Sequence, residues 1–100
     1  MLHALLQDLK PSAAAAAGGA KTLTTTATGP ASYMGPGPPP ETPPHPHKYV
    51  ELLYEQPANF AVPAAQKSAV QSRMGFNLAT FSTAAGLGAP IGANYFQVTG

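Results

Sequence analysis

One hundred residues allow a single domain, and only nine of them are charged, for a net charge of +1. The five cations (Lys10, Lys21, Lys48, Lys67 and Arg73) are scattered, which leaves nucleic-acid binding without electrostatic support, and the absence of cysteine excludes disulfides, thiol chemistry and cysteine-zinc sites. No apolar run approaches the ~18–20 residues of a membrane span, and MLHALLQDLK lacks the basic region and long apolar stretch of a signal peptide, so no membrane span is predicted; the compartment stays open, with the cytoplasm favoured unless Met1 is not the natural start.

The first element, Met1 to Leu9, fits two readings, of which the residue pattern alone favours a helix. Leu2, Leu5, Leu6 and Leu9 have helical spacing, whereas a strand would put His3 and Leu5 on one face. Pro11-Ser12 ends it either way. Residues 11–46 read as an Ala/Thr/Pro-rich loop region. Ala13 to Ala17 favour helix intrinsically but form too short a run to be stable alone, and Gly18-Gly19 reads as a turn. Thr22 to Thr28 is β-branched and reads as a short edge strand, stopped by Gly29-Pro30.

A stiff loop follows, with proline at seven of the eleven positions 36–46. It passes directly into the clearest strand of the chain, His47 to Gln56. Alternation puts His47, Tyr49, Glu51 and Leu53 on one face and Val50, Leu52 and Tyr54 on the other. Apolar residues on both faces predict a central strand covered on both sides. A fixed loop that delivers an imidazole and a phenol to one spot has the form of a binding-pocket wall. His45 and His47 lack a third ligand nearby, so no metal site is predicted. Asp8 is the only aspartate and sits at an element end, which leaves no Ser/His/Asp arrangement.

Ala64 to Arg73 reads as a weak helix or turn. Phe76 to Gly86 carries a full set of helix signals: Asn77 as N-cap, Phe76 and Phe81 as a hydrophobic staple, Leu78 and Phe81 as the buried stripe, and Gly86 as a left-handed C-cap before Pro90. Ile91 to Val98 reads as a final strand centred on Tyr95-Phe96.

Three segments in this order resemble the C-terminal half of a phosphatidylethanolamine-binding protein, in particular the fungal members. GPGPPPETPPHPHKYVELLYEQP is similar to the family's Gly-Pro-Pro loop and His-Arg-Tyr strand. RMGFNLATF follows, and AGLGAPIGANYF is similar to the closing Ala-Pro-x-x-x-Asn-Tyr-Phe strand. The resemblance implies a mainly β fold, an antiparallel sheet of a β-sandwich with one or two peripheral helices. Residues 1–10 would form a strand and residues 47–100 a strand-helix-strand core. The family's Asp-Pro-Asp-Ala-Pro motif is absent before His3, so the resemblance implies a partial domain, truncated at its N-terminus.

It further implies a non-enzymatic binding module, without cofactor, for phospholipid head groups or other phosphate-bearing anions. The alternatives are a serine carboxypeptidase inhibitor or regulatory interaction protein, and a non-functional remnant. Carried over by position, His3 and His47 would donate from neutral imidazoles, Tyr49 would supply a hydroxyl, Pro38 and Pro39 would shape the rim, and Phe96 would close the far side. Lys48 stands where the family has arginine, and alternation turns it to the opposite face.

Overall fold

The computed structural model describes residues 1–15 and 19–100. Among the described residues it is mainly β, with two short α-helices and antiparallel pairing. The strands form three two-stranded ribbons: β1 (Leu5–Leu6) with β4 (Pro30–Ala31), β2 (Lys10–Ala15) with β3 (Lys21–Thr24), and β5 (Pro46–Leu53) with β6 (Gly92–Thr99). α1 (Lys67–Ser72) and α2 (Leu78–Ala85) lie between β5 and β6 in the chain.

Residues 11–46, expected as a loop region with a short edge strand at Thr22 to Thr28, contain most of β2 and all of β3 and β4. Ala13 to Ala15 are extended despite the helical propensity of alanine, in a strand whose register against β3 breaks between Pro11 and Ala15 and resumes at the Ala15↔Lys21 pair. Ala16, Ala17 and Gly18, the rest of the alanine run and half of the expected turn, lie outside the described residues. Of residues 1–10, expected as one strand, Leu5–Leu6 and Lys10 are strand residues and none is helical.

The core is small. Among the described residues Ala31, Val70 and Phe81 are buried, and Leu2, Leu5, Phe60, Val62, Phe76, Ala85 and Leu87 pack against them. The radius of gyration is 15.2 Å, against about 13 Å for a compact chain of this length. The stabilising centre therefore sits where α1 and α2 meet the β1–β4 ribbon, away from the long β5–β6 ribbon.

α2 forms as its local signals dictate. The Asn77 side-chain oxygen accepts from the Thr80 N–H at 3.0 Å, and the Phe76 and Phe81 rings stand 5.5 Å apart across the first turn. At the other end Gly86 takes φ 72°, and the Gly86 and Leu87 N–H groups donate to the Thr83 and Ser82 carbonyls, which closes a Schellman motif. The buried stripe is narrower than expected: Phe81 is 1% exposed, but Leu78 is 39% exposed because it faces outward in the first turn.

β5 is not covered on both sides. It pairs with β6 alone, and Val50 and Tyr95, which oppose each other, are 60% and 58% exposed. Lys48 lies on this open face, its ammonium 4.7 Å from the Tyr95 ring centre.

Side-chain hydrogen bonds of Gln56 and Arg73 add to the β1–β4 pairing in tying the N-terminal segment to the rest. Asp8 and Gln56 clasp each other: the Asp8 N–H donates to Gln56 Oε1 at 2.8 Å and Gln56 Nε2 donates to Asp8 Oδ1 at 2.9 Å. Arg73, which ends α1 in the left-handed region at φ 65°, accepts from the Leu2 N–H and donates to the His3 carbonyl at 3.1 Å and to Ser32 Oγ at 3.3 Å.

Candidate functional site

β5 and β6 pair in unbroken register from Pro46↔Thr99 to Leu53↔Gly92. Period-two alternation then fixes one face of the ribbon, with His47, Tyr49 and Glu51 beside Val98, Phe96 and Asn94. Tyr49 and Phe96 are direct partners, and their rings stack with centroids 5.3 Å apart and planes 16° from parallel. His3 meets the same tyrosine edge-on, at 5.0 Å and 80°. Three of the six residues predicted for the site therefore form one aromatic row drawn from both ends of the chain.

His3 is held on three sides. Its carbonyl accepts from the Met34 N–H at 2.8 Å and from Arg73, while its Nδ1 lies 2.9 Å from the Met34 carbonyl oxygen. Leu2 and Leu5 anchor the flanking backbone in the core. A carbonyl oxygen only accepts, so the proton of the neutral ring resides on Nδ1. Nε2 is then a bare lone pair, and becomes a donor when the imidazole charges. The expected neutral-imidazole donor is therefore already spent on the backbone. Among the described residues neither His3 Nε2 nor the Tyr49 hydroxyl has a hydrogen-bond partner.

His47 is on the same face, two residues before Tyr49, and its Nε2 is engaged by the Glu41 carboxylate. Glu41 comes from the proline loop and is the partner of this face that the sequence reading missed. Alternation arguments reach only residues on regular elements. The one available signal was that Glu41 is the sole charged residue among 35–46.

Pro38 and Pro39 stand at the far end of this face. A Cβ at Gly100 would point to the same side as Val98 and Phe96, and it would come within 2.9 Å of Pro38 Cβ and 2.5 Å of the Pro39 carbonyl oxygen. The prolines thus lean over the end of the ribbon, where the Gly100 N–H also donates to the His45 carbonyl at 3.0 Å. Two hollows of the surface lie elsewhere, one bordered by Pro30, Val62 and Val70, the other by Gln56, Pro57 and Gly86. The aromatic row is thus an open face with a proline rim at one end. Among the described residues no three His, Cys, Asp or Glu side chains gather as metal ligands, and no helix is long and apolar enough to cross a membrane.

The family model described as phosphatidylethanolamine-binding protein matches residues 1–96. The chain belongs to the phosphatidylethanolamine-binding protein family. Among curated relatives it is similar to "Phomoidride biosynthesis cluster protein N" of Fungal sp. (strain ATCC 74256), 40% identical over 74 residues that make up 70% of this chain and 32% of the relative. It is also similar to the protein of the same name from Talaromyces stipitatus, 36% identical over 70 residues that make up 66% of this chain and 34% of the relative. The chain therefore spans about a third of the length of these relatives. No solved structure matches it. Family membership supports a binding role in general, and it agrees with the mainly β, antiparallel architecture.

Proposed function

We propose that this family member binds a phosphate-bearing anion, a lipid head group or a soluble phosphate ester, across the His3–Tyr49–Phe96 row, without catalysing a reaction on it. The observation that carries this reading is the adjacency of two unpartnered polar groups on one aromatic row. His3 Nε2 and the Tyr49 hydroxyl belong to rings in edge-to-face contact at 5.0 Å, and Phe96 backs the tyrosine. Phosphate oxygens accept hydrogen bonds, a phenol donates one, and an imidazolium donates one with charge assistance. Phe96 gives the carbon portion of a phosphate ester an apolar surface to lie on.

The curated relatives' name refers to a biosynthesis cluster, which supports a soluble anionic metabolite as a second reading of the same site. Inhibition of a serine carboxypeptidase is a separate reading and predicts inhibition that survives His47→Ala.

Phosphorylethanolamine added to the folded protein at millimolar concentration should move the imidazole resonances of His3. No movement in a folded sample overturns the reading. Vesicles containing phosphatidylethanolamine, compared with the free head group, separate a lipid source from a soluble one.

A further inference from the structure

The proline loop carries its own anion to the site. Glu41 is the only charged residue between Gly35 and Pro46, and its carboxylate is bonded to His47 Nε2 across six residues of chain. The loop is stiff, since prolines at 36, 38, 39, 40, 43, 44 and 46 restrict its backbone, so this placement is largely built into the chain. The Glu41 side chain is 32% exposed and that of His47 41%, so the contact is half-covered rather than splayed into solvent. The nearest lysine in sequence to the pair, Lys48, is turned to the opposite face and sits over Tyr95. Glu51, two residues beyond Tyr49 on the site face, is engaged by the Asn94 amide at 3.4 Å and adds a second carboxylate to that face.

We propose that Glu41 is a resident competitor for the anion site: its carboxylate occupies the His47 N–H, and a phosphate reaches that donor only by displacing it. This rests on the anion-binding reading above and deepens it by naming the residue that sets affinity and selectivity. A carboxylate and a phosphate oxygen accept from the same imidazole hydrogen in the same way, so the two exclude each other. Charge makes the exclusion selective. A dianion must approach a site already holding Glu41 and Glu51, whereas a phosphodiester carries one charge and meets less repulsion. The loop therefore favours singly charged phosphodiesters, the charge state of a phospholipid head group, over inorganic phosphate.

The test compares the wild-type chain with Glu41→Gln, Glu41→Ala and the loop control Thr42→Ala at pH 7.5. Binding of inorganic phosphate and of dimethyl phosphate is followed by the imidazole resonances of His3 and His47. Cooperative unfolding of each variant establishes that it is folded. Both Glu41 variants should bind inorganic phosphate about tenfold more tightly than wild type, the size of one charge-assisted hydrogen bond regained. The gain for dimethyl phosphate should be smaller, and Thr42→Ala should match wild type. Equal phosphate affinity in wild type and both Glu41 variants, with binding evident in all, overturns the competitor role and leaves the anion site standing. Weaker binding in the Glu41 variants also overturns it, since the carboxylate would then assist the ligand. Absence of binding in all folded variants overturns the anion site itself.

Discussion

Tyr49 and Phe96 are direct cross-strand partners, and their rings stack at 5.3 Å with an interplanar angle of 16°. The stack holds the phenol in place while its hydroxyl makes no hydrogen bond among the described residues. Tyr49→Phe keeps the ring and removes only the donor. Phosphate-ester affinity should fall by about 1 kcal/mol, one neutral hydrogen bond, in an NMR titration. An unchanged affinity would remove the hydroxyl from the site.

His3 donates through Nδ1 to the Met34 carbonyl, so its Nε2 becomes a donor only as imidazolium. The groups facing the ring or its carbonyl are the Tyr49 phenol and the Arg73 guanidinium. Ring-nitrogen chemical shifts of His3 in the folded chain should show a protonated Nδ1 and a bare Nε2. The reverse tautomer would contradict the assignment from the Met34 contact. His3→Gln should weaken dimethyl phosphate binding, and an unchanged affinity would remove the imidazole from the site.

Asp8 is held below the ordinary carboxylate range, first by the Gln56 side-chain amide, then by Gln7, with Lys10 adding a charge contribution. A depressed folded-state pKa stabilises the fold above the unfolded value of about 3.9, and the benefit is lost as pH falls through the folded value. The Asp8–Gln56 clasp should therefore loosen in acid. Protection of the Asp8 amide from exchange, relative to the unstructured peptide at the same pH, should fall between pH 5 and 3, and Asp8→Asn should remove that fall.

Arg73 combines a left-handed backbone with a guanidinium that supports the His3 carbonyl. Arg73→Ala loses the hydrogen bonds and keeps the strain, whereas Arg73→Gly relieves about 1 kcal/mol of backbone cost. Arg73→Gly should be the more stable variant in urea unfolding. In both variants the His3 imidazole should lose part of the ring-current shift that Tyr49 imposes.

Phe81 is the one side chain among those described that is fully buried. Phe81→Ala should cost about 3–5 kcal/mol. In a chain with so few buried residues that loss should abolish cooperative thermal unfolding. Asn77→Ala, at about 1 kcal/mol, should lower the midpoint and keep the transition.

Much of the fold was legible from local chemistry. The caps of α2 and the Phe76–Phe81 staple depend on residues within one or two turns of each other, and β5 and β6 announce themselves by alternation and by β-branched and aromatic residues. The expectation of a covered central strand failed at Val50. Two apolar faces show only that a strand can be covered, while the strands that would cover it must come from elsewhere in a chain. The expectation that Leu78 is buried failed for a related reason: helical spacing defines a stripe, and packing against α1 and β4 decides how wide it is.

By itself the sequence determined that the proline loop enters a strand, that His47 and Tyr49 share one face, and that α2 begins at Asn77 and ends at Gly86. These follow from backbone restriction, period-two alternation and capping, all of which act over a few residues. Only the tertiary structure decided that His3 reaches Tyr49 from 46 positions away and that Arg73 holds it there. Contacts over such separations depend on how the core of Phe81, Val70 and Ala31 and the register of β5 against β6 set the segments side by side, and no local preference of the residues involved encodes that.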